Sequence, residues 1–116
     1  MEKEKVFQIS FRKIYDCLVA KAERKNRTQS EVNQILQWVT GYDERTLQEH
    51  LSSQTTYRQF LEQAPHMNPN RNKVKGVICK VRIEEIDDPM MKDIRIIDKM
   101  VDELAKGKSL EVILRK

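Results

Sequence analysis

Apolar residues recur at helical spacing along most of the chain. From Phe11 to Ala22 they fall three or four positions apart, which places them on one face of an amphipathic helix. The pattern predicts an all-α fold, a compact single-domain bundle of about six helices that takes in residues 1–116. Further stripes of the same kind occupy residues 32–39, 47–51, 57–64, 90–104 and 110–114.

Residues that begin and end helices stand between these stripes. A polar cap accepts a hydrogen bond from an N–H group that the first turn leaves free, and proline suits the next position because its missing N–H is not needed there. Glycine can adopt the left-handed conformation that ends many helices. The candidate caps are Ser10, Thr28, Asp43, Thr56, Asn68, Asp88 and Ser109, and the candidate stops are Gly41 and Gly107.

Two segments leave their secondary structure open. Residues 1–9 are predicted to form an extended N-terminal arm, with Val6-Ile9 as a short strand at most. Apolar residues within 74–83 fit either a helix or, through Val77-Ile83, a strand. We favour a helix, because a lone strand needs a partner for its backbone groups and only Val6-Ile9 offers one. The alternative fold adds a minor two-stranded element made of these two segments.

Composition agrees with a helical protein. Aromatic residues make up 6% of the chain and only three glycines are present, whereas sheets use more of both. No apolar run approaches the roughly 20 residues that span a bilayer, and the charged start lacks the apolar core of a signal peptide. We therefore expect a cytoplasmic protein that makes no membrane contact.

The residues that most often bind metals are few and scattered. Cys17, Cys79, His50 and His66 are the only cysteines and histidines, and none of them has the spacing of a zinc site. We expect no metal and no cofactor. Lone cysteines usually behave as small apolar residues, so both are expected to be reduced and buried.

Four carboxylates form an acidic cluster between Glu84 and Asp88. Paired carboxylates can act as general acid and base, which would make the chain an enzyme. Carboxylates are also favourable at a helix start, and Asp88 stands directly before Pro89. We favour this structural role and predict no catalytic residue, which leaves an enzyme as the less favoured alternative.

Basic residues form two clusters that could contact an anion. The residues are Arg24, Lys25 and Arg27 after the first apolar stripe, and Arg71, Lys73 and Lys75 before the ambiguous segment. Contacts to phosphates need such side chains. Residues 29–52 also resemble a helix-turn-helix in outline, but the second helix carries Glu44 and Glu49 beside Arg45. Acidic side chains oppose phosphate binding, so nucleic acid would be contacted through the two basic clusters.

The stripe Met90-Leu104 is wide and contains three methionines. Methionine adapts to irregular partners, so a second copy of the chain could cover this helix in a homodimer. Packing within one chain would cover it equally well.

Several short motifs give the chain a family resemblance. Taken together, they are similar to the uncharacterised bacterial family called domain of unknown function 2200. The resemblance implies a compact all-helical domain and no assigned activity. Because the sequence has no identifiable catalytic residues, we expect a binding or protein-interaction module, with nucleic-acid binding as the alternative. The motifs are W-x-T-G-Y-D (38–43), A-P-x-x-N-P-N (64–70), G-V-I-C (76–79), R-x-E-E-I-x-D-P-x-M (82–91), D-E-L-A-K-G-K (102–108) and I-L-R (113–115).

Overall fold

Helices dominate the computed structural model, which describes residues 3–78 and 80–115. Counting two short 3₁₀ turns, 65% of the described structure is helical, so the predicted all-α class is confirmed. Two short 3₁₀ turns, Pro69–Lys73 and Ile83–Glu85, and a small hairpin lie between residues 62 and 89. The helices are α1 Lys3–Gln8, α2 Phe11–Glu23, α3 Gln29–Thr40, α4 Glu44–Leu51, α5 Tyr57–Glu62, α6 Pro89–Ala105 and α7 Leu110–Ile113, and the strands are β1 Val77–Ile78 and β2 Val81–Arg82.

Hydrogen bonds confirm the predicted caps, although Asn68 begins a 3₁₀ turn and not the predicted helix. Each predicted cap accepts from an N–H group two or three residues ahead, and Thr28 and Thr56 also form full capping boxes. Gly41 ends α3 with φ 81°, and Gly107 follows the end of α6 with φ 97°. The bonds run from Lys13 to Ser10, Glu31 to Thr28, Thr46 to Asp43, Gln59 to Thr56, Asn70 to Asn68, Met91 to Asp88 and Val112 to Ser109.

The helix favoured for residues 74–81 is wrong, because this segment contains a β-hairpin. Val77 pairs with Arg82 and Ile78 with Val81 in an antiparallel register. The backbone groups of β1 are thus satisfied by the next strand along the chain, and not by the N-terminal segment. Lys80 permits the tight reversal by adopting the left-handed region at φ 65°.

The N-terminal segment also differs from expectation, since residues 3–8 form helix α1 and not an extended arm. A helix lets Phe7 reach the core, where it is 9% exposed. Outside the hairpin, the described residues contain one isolated bridge of extended backbone, between Ser10 and Thr56. There Phe11 donates its N–H to Thr55 (2.8 Å), and Tyr57 donates to the carbonyl of Ile9 (2.9 Å).

Helices α2 and α6 lie side by side at the centre of the fold and run in the same direction. Ile14 and Ile94 line one pocket near their first halves, and Lys21 pairs with Asp102 further along. Both C-terminal ends therefore lie at the same end of the molecule. In the described residues, no helix is long and apolar enough to span a membrane.

The apolar residues of α6 are mostly covered by the same chain. Ile94, Ile96, Ile97, Met100, Val101 and Leu104 are all buried, while Met90 and Met91 are half-buried. Packing within one chain thus accounts for most of the wide stripe. A homodimer through Met90-Leu104 stays a prediction.

A candidate anion-binding cleft

A basic cleft of about 730 Å³ opens where α2 and α6 end. Lys21 lies in the last turn of α2, and Arg24 and Lys25 follow in the turn directly after the helix. Asp102 lies in the last turn of α6, four residues before Lys106, which caps the C-terminal end of that helix. The lining residues are Lys21, Arg24, Lys25, Asp102, Ala105 and Lys106.

One carboxylate serves two of the four cations in the cleft. The ammonium groups of Lys21 and Lys106 each lie 3.0 Å from an oxygen of Asp102. Burial opposes ionisation of Asp102, but hydrogen bonds from Lys106 and Lys21 outweigh it and hold its pKa below the usual value. The Asp102 carboxylate is therefore ionised at neutral pH, and it is paired with both lysines.

Arg24 and Lys25 complete the cleft as exposed cations. Across residues 3–78 and 80–115 neither side chain has an ion-pair partner. The cleft thus carries an excess of positive charge. Cations are also favourable at the C-terminal end of a helix, and two such ends meet here.

Arg27, a third predicted contact residue, makes its contacts within the protein. Its guanidinium lies 2.6 Å from Glu31 and donates to the carbonyls of Leu104 (2.9 Å) and Lys108 (2.8 Å). Hydrogen bonding from Arg27, against a smaller effect of burial, lowers the pKa of Glu31 to about 2. Arg27 fastens the start of α3 to the end of α6, and its donors face the protein.

The second basic cluster lies apart from the cleft. Arg71 pairs with Asp93 at 2.8 Å and donates to the carbonyl of Asn68, with its side chain 21% exposed. Lys73, the last residue of the 3₁₀ turn, and Lys75, between that turn and the hairpin, are both exposed. The six predicted residues therefore divide into two at the cleft, two fixed by internal contacts and two on another part of the surface.

Three of the four carboxylates in the acidic cluster make structural contacts. Glu84 accepts from the backbone N–H of Gly76 at 2.8 Å, and this bond lowers the pKa of its carboxyl. Glu85 lies 3.9 Å from Arg82, and Asp88 caps α6. These contacts agree with the structural role favoured from the sequence.

Cysteine and histidine show one departure from expectation. Cys17 is exposed, so its predicted burial is wrong. Cys79 lies outside the described residues. His50 packs against Tyr42 and Phe60, and His66 is exposed. In the described part of the chain, no group of three potential ligands could hold a metal ion.

Sequence reasoning missed the contribution of α6 to the cleft. Asp102 and Lys106 have the spacing of an ion pair on a helix, and this was the available signal. Their position beside Arg24 depends on the parallel packing of two helices that are about 65 residues apart in the sequence. The pattern of residues along the chain does not show how α2 and α6 pack against each other.

Comparison with known proteins agrees with this fold. A family model described as "Uncharacterized protein conserved in bacteria (DUF2200)" matches residues 5–115. The chain is similar to a solved structure titled "Crystal structure of uncharacterized protein SP1917", with a TM-score of 0.92 and 43% sequence identity over 97% of this chain and 93% of that one. No curated protein matches it. The chain belongs to the bacterial family of domain of unknown function 2200.

Proposed function

We propose that this protein is a binding module that holds nucleic acid by its phosphates, with the cleft between α2 and α6 as the contact surface. The observation that carries the proposal is the excess of cations in the cleft. Lys21 and Lys106 share Asp102, while Arg24 and Lys25 have no partner in the described residues. Phosphate contacts supply most of the affinity in binding that does not depend on sequence.

The arrangement of cations favours an extended polyanion over a single small anion. Lys99 on α6 stands seven residues before Lys106, the residue that caps the C-terminal end of this helix, so the two lie about 10 Å apart along the helix axis. Phosphates of one stacked strand follow each other at about 3.4 Å. The lysines could thus contact phosphates about three nucleotides apart. Lys99 also approaches the hairpin, with its Nζ 3.3 Å from the carbonyl of Val77.

Fluorescence anisotropy with labelled single-stranded RNA and duplex DNA tests the proposal at 50 and 200 mM salt. We expect micromolar binding at low salt that weakens steeply as salt rises. Replacing Arg24, Lys25 and Lys106 together by glutamine removes three phosphate contacts. The slope of log K against log salt should then become shallower by about 2 to 3.

The matched control removes three cations outside the cleft. Arg12, Arg45 and Arg58 are exposed on α2, α4 and α5, and replacing them by glutamine changes the net charge by the same amount. We expect this variant to keep most of the affinity. Equal losses in the two variants would mean that total charge, and not the cleft, determines binding. An absence of binding at 50 mM salt would reject nucleic acid as the ligand.

A further inference from the structure

The Asp102 carboxylate already occupies two of the four cations that line the basic cleft. One of its oxygens lies 3.0 Å from the ammonium group of Lys21, and the other lies 3.0 Å from that of Lys106. Carboxylates and phosphates accept charge-assisted hydrogen bonds from ammonium groups in similar geometry. Asp102 therefore takes the place that a phosphate would need in order to contact either lysine.

Both ion pairs lie within reach of solvent. The side chains of Lys21 and Lys106 are 37% and 68% exposed, whereas that of Asp102 is 16% exposed. Ion pairs between partly exposed side chains contribute little net free energy, so another anion can replace the carboxylate at the lysines. The exchange leaves Asp102 without its partners in a place where burial opposes ionisation. Displacement of Asp102 thus has a cost that the ligand must offset.

Arg24 and Lys25 differ from the two lysines, because they have no ion-pair partner in the part of the chain that the structure describes. A single phosphate can bind these two cations and leave Asp102 in place. The phosphates of one strand are tethered, so binding of the first holds its neighbours near the cleft at a high effective concentration. A polyanion therefore offsets the displacement of Asp102, whereas a single phosphate does not.

We infer that Asp102 makes the cleft selective for polyanions, because it occupies Lys21 and Lys106 until successive phosphates of one strand replace it. This inference rests on the proposed binding of nucleic acid and identifies a residue that determines the specificity of the cleft. Asp102 acts through the two lysines and makes no contact with the ligand. The same competition lowers the affinity for nucleic acid, since separating Asp102 from the lysines consumes part of the binding free energy.

Asp102→Asn tests the inference, because it removes the charge and keeps the shape of the side chain. Fluorescence anisotropy at 50 mM salt with a labelled single-stranded RNA should show about tenfold tighter binding than in wild type, since two competing ion pairs are lost. Inorganic phosphate is titrated into the ¹⁵N-labelled protein at constant ionic strength. The amides of Ala105 and Lys106 should show saturable shifts at millimolar concentration in the variant, and no saturation in wild type over the same range.

Asp16→Asn is the matched control. It makes the same change of net charge and also releases a cation, since Asp16 pairs with Arg12 at 3.0 Å on an exposed part of α2 outside the cleft. Because salt screens exposed charges, we expect a change in RNA affinity of no more than about twofold and no phosphate binding. Asp102→Ala repeats the main measurement without an amide that could accept from the lysines. Melting temperatures establish that each variant is folded.

A double-mutant cycle with Lys106→Gln distinguishes competition for the lysines from general repulsion of RNA by Asp102. If Asp102 acts through the lysines, Asp102→Asn should tighten RNA binding only about threefold once Lys106 is absent, because Lys21 alone is then released. General repulsion predicts the same gain with and without Lys106.

Three results would overturn the inference: RNA binding by Asp102→Asn no tighter than by Asp16→Asn, a gain that Lys106→Gln leaves unchanged, or inorganic phosphate that saturates wild type and variant alike. In each of these cases binding of RNA by wild type would still support the proposed function. A wild type that does not bind RNA at 50 mM salt would reject the proposed function and this inference with it.

Discussion

Among single residues, Arg27 makes contacts that join three parts of the chain. Its guanidinium pairs with Glu31 at the start of α3 and reaches the carbonyls of Leu104, at the end of α6, and of Lys108, before α7. Arg24, only three residues earlier, is exposed and has no partner in the described residues. Two arginines of one basic run thus have different physical roles.

Replacing Arg27 by glutamine should lower the free energy of unfolding by about 1.5–3 kcal/mol at pH 7, because hydrogen bonds to a charged group are lost. Arg24→Gln is the control and should change it by no more than about 0.5 kcal/mol. Urea unfolding measures both.

The Arg27 effect should also depend on pH. Contact with Arg27 lowers the pKa of Glu31 from 4.5 to about 2, so its stabilisation is complete above pH 4.5 and is lost as pH falls toward 2. The difference between wild type and Arg27→Gln should therefore be smaller at pH 3 than at pH 7. An equal difference at both pH values would contradict the assigned ion pair.

At the level of helices and strands, the sequence predicted the features that depend on hydrogen bonds between near neighbours in the chain. Thr28 and Thr56 cap their helices through residues three positions ahead, and such contacts need no tertiary partner. The hairpin was missed because valines at 77 and 81 fit both a helix and a strand period, and tertiary packing made the choice. Likewise Arg24 and Lys25 could be identified from the sequence as one basic cluster, whereas their position beside Asp102 and Lys106 arises only on folding.

The end of α3 shows how a glycine can serve two purposes. Gly41 has φ 81°, and a Cβ there would lie 2.8 Å from the carbonyl oxygen of His66. The backbone of the 64–70 motif packs against this turn, with His66 donating to the carbonyl of Thr40 and Asn68 to that of Val39. The glycine thus ends the helix and admits the neighbouring segment.

Gly41→Ala should therefore destabilise the protein more than Gly107→Ala. At Gly107 φ is 97° but no atom lies within 4 Å of the added Cβ, so only conformational strain of about 1–2 kcal/mol is expected. At Gly41 displacement of His66 should add about 1 kcal/mol or more. Thermal and urea unfolding of both variants test this difference, and equal losses would show that close approach of His66 contributes nothing.

On the scale of the whole molecule, the C-terminal segment is fastened to the core by a buried ion pair. Arg115 contacts both carboxylate oxygens of Glu103, at 2.7 and 2.8 Å, and the Glu103 side chain is 5% exposed. Such a pair fixes the position of α7, the last helix, against α6. It also explains physically the arginine that ends the I-L-R motif.

Arg115→Gln should lower the free energy of unfolding by about 3–5 kcal/mol, because it leaves a buried carboxylate without its main partner. Adding Glu103→Gln removes the uncompensated charge, so the double variant should recover part of the loss. Chemical unfolding of the single and double variants measures these free energies. A double variant as unstable as Arg115→Gln would show that the charge of Glu103 is not the cause.

The parallel packing of α2 and α6 has a consequence during synthesis. Antiparallel neighbours can pair as soon as a short loop has been made, whereas α2 must wait for residues 24–105 before α6 is complete. At about 5–20 residues per second, the ribosome needs roughly 4–16 s for that stretch. Throughout this interval the side of α2 that faces α6 has no partner within its own nascent chain. A chain released before Pro89 would keep that side uncovered and be a natural substrate for chaperones and proteases.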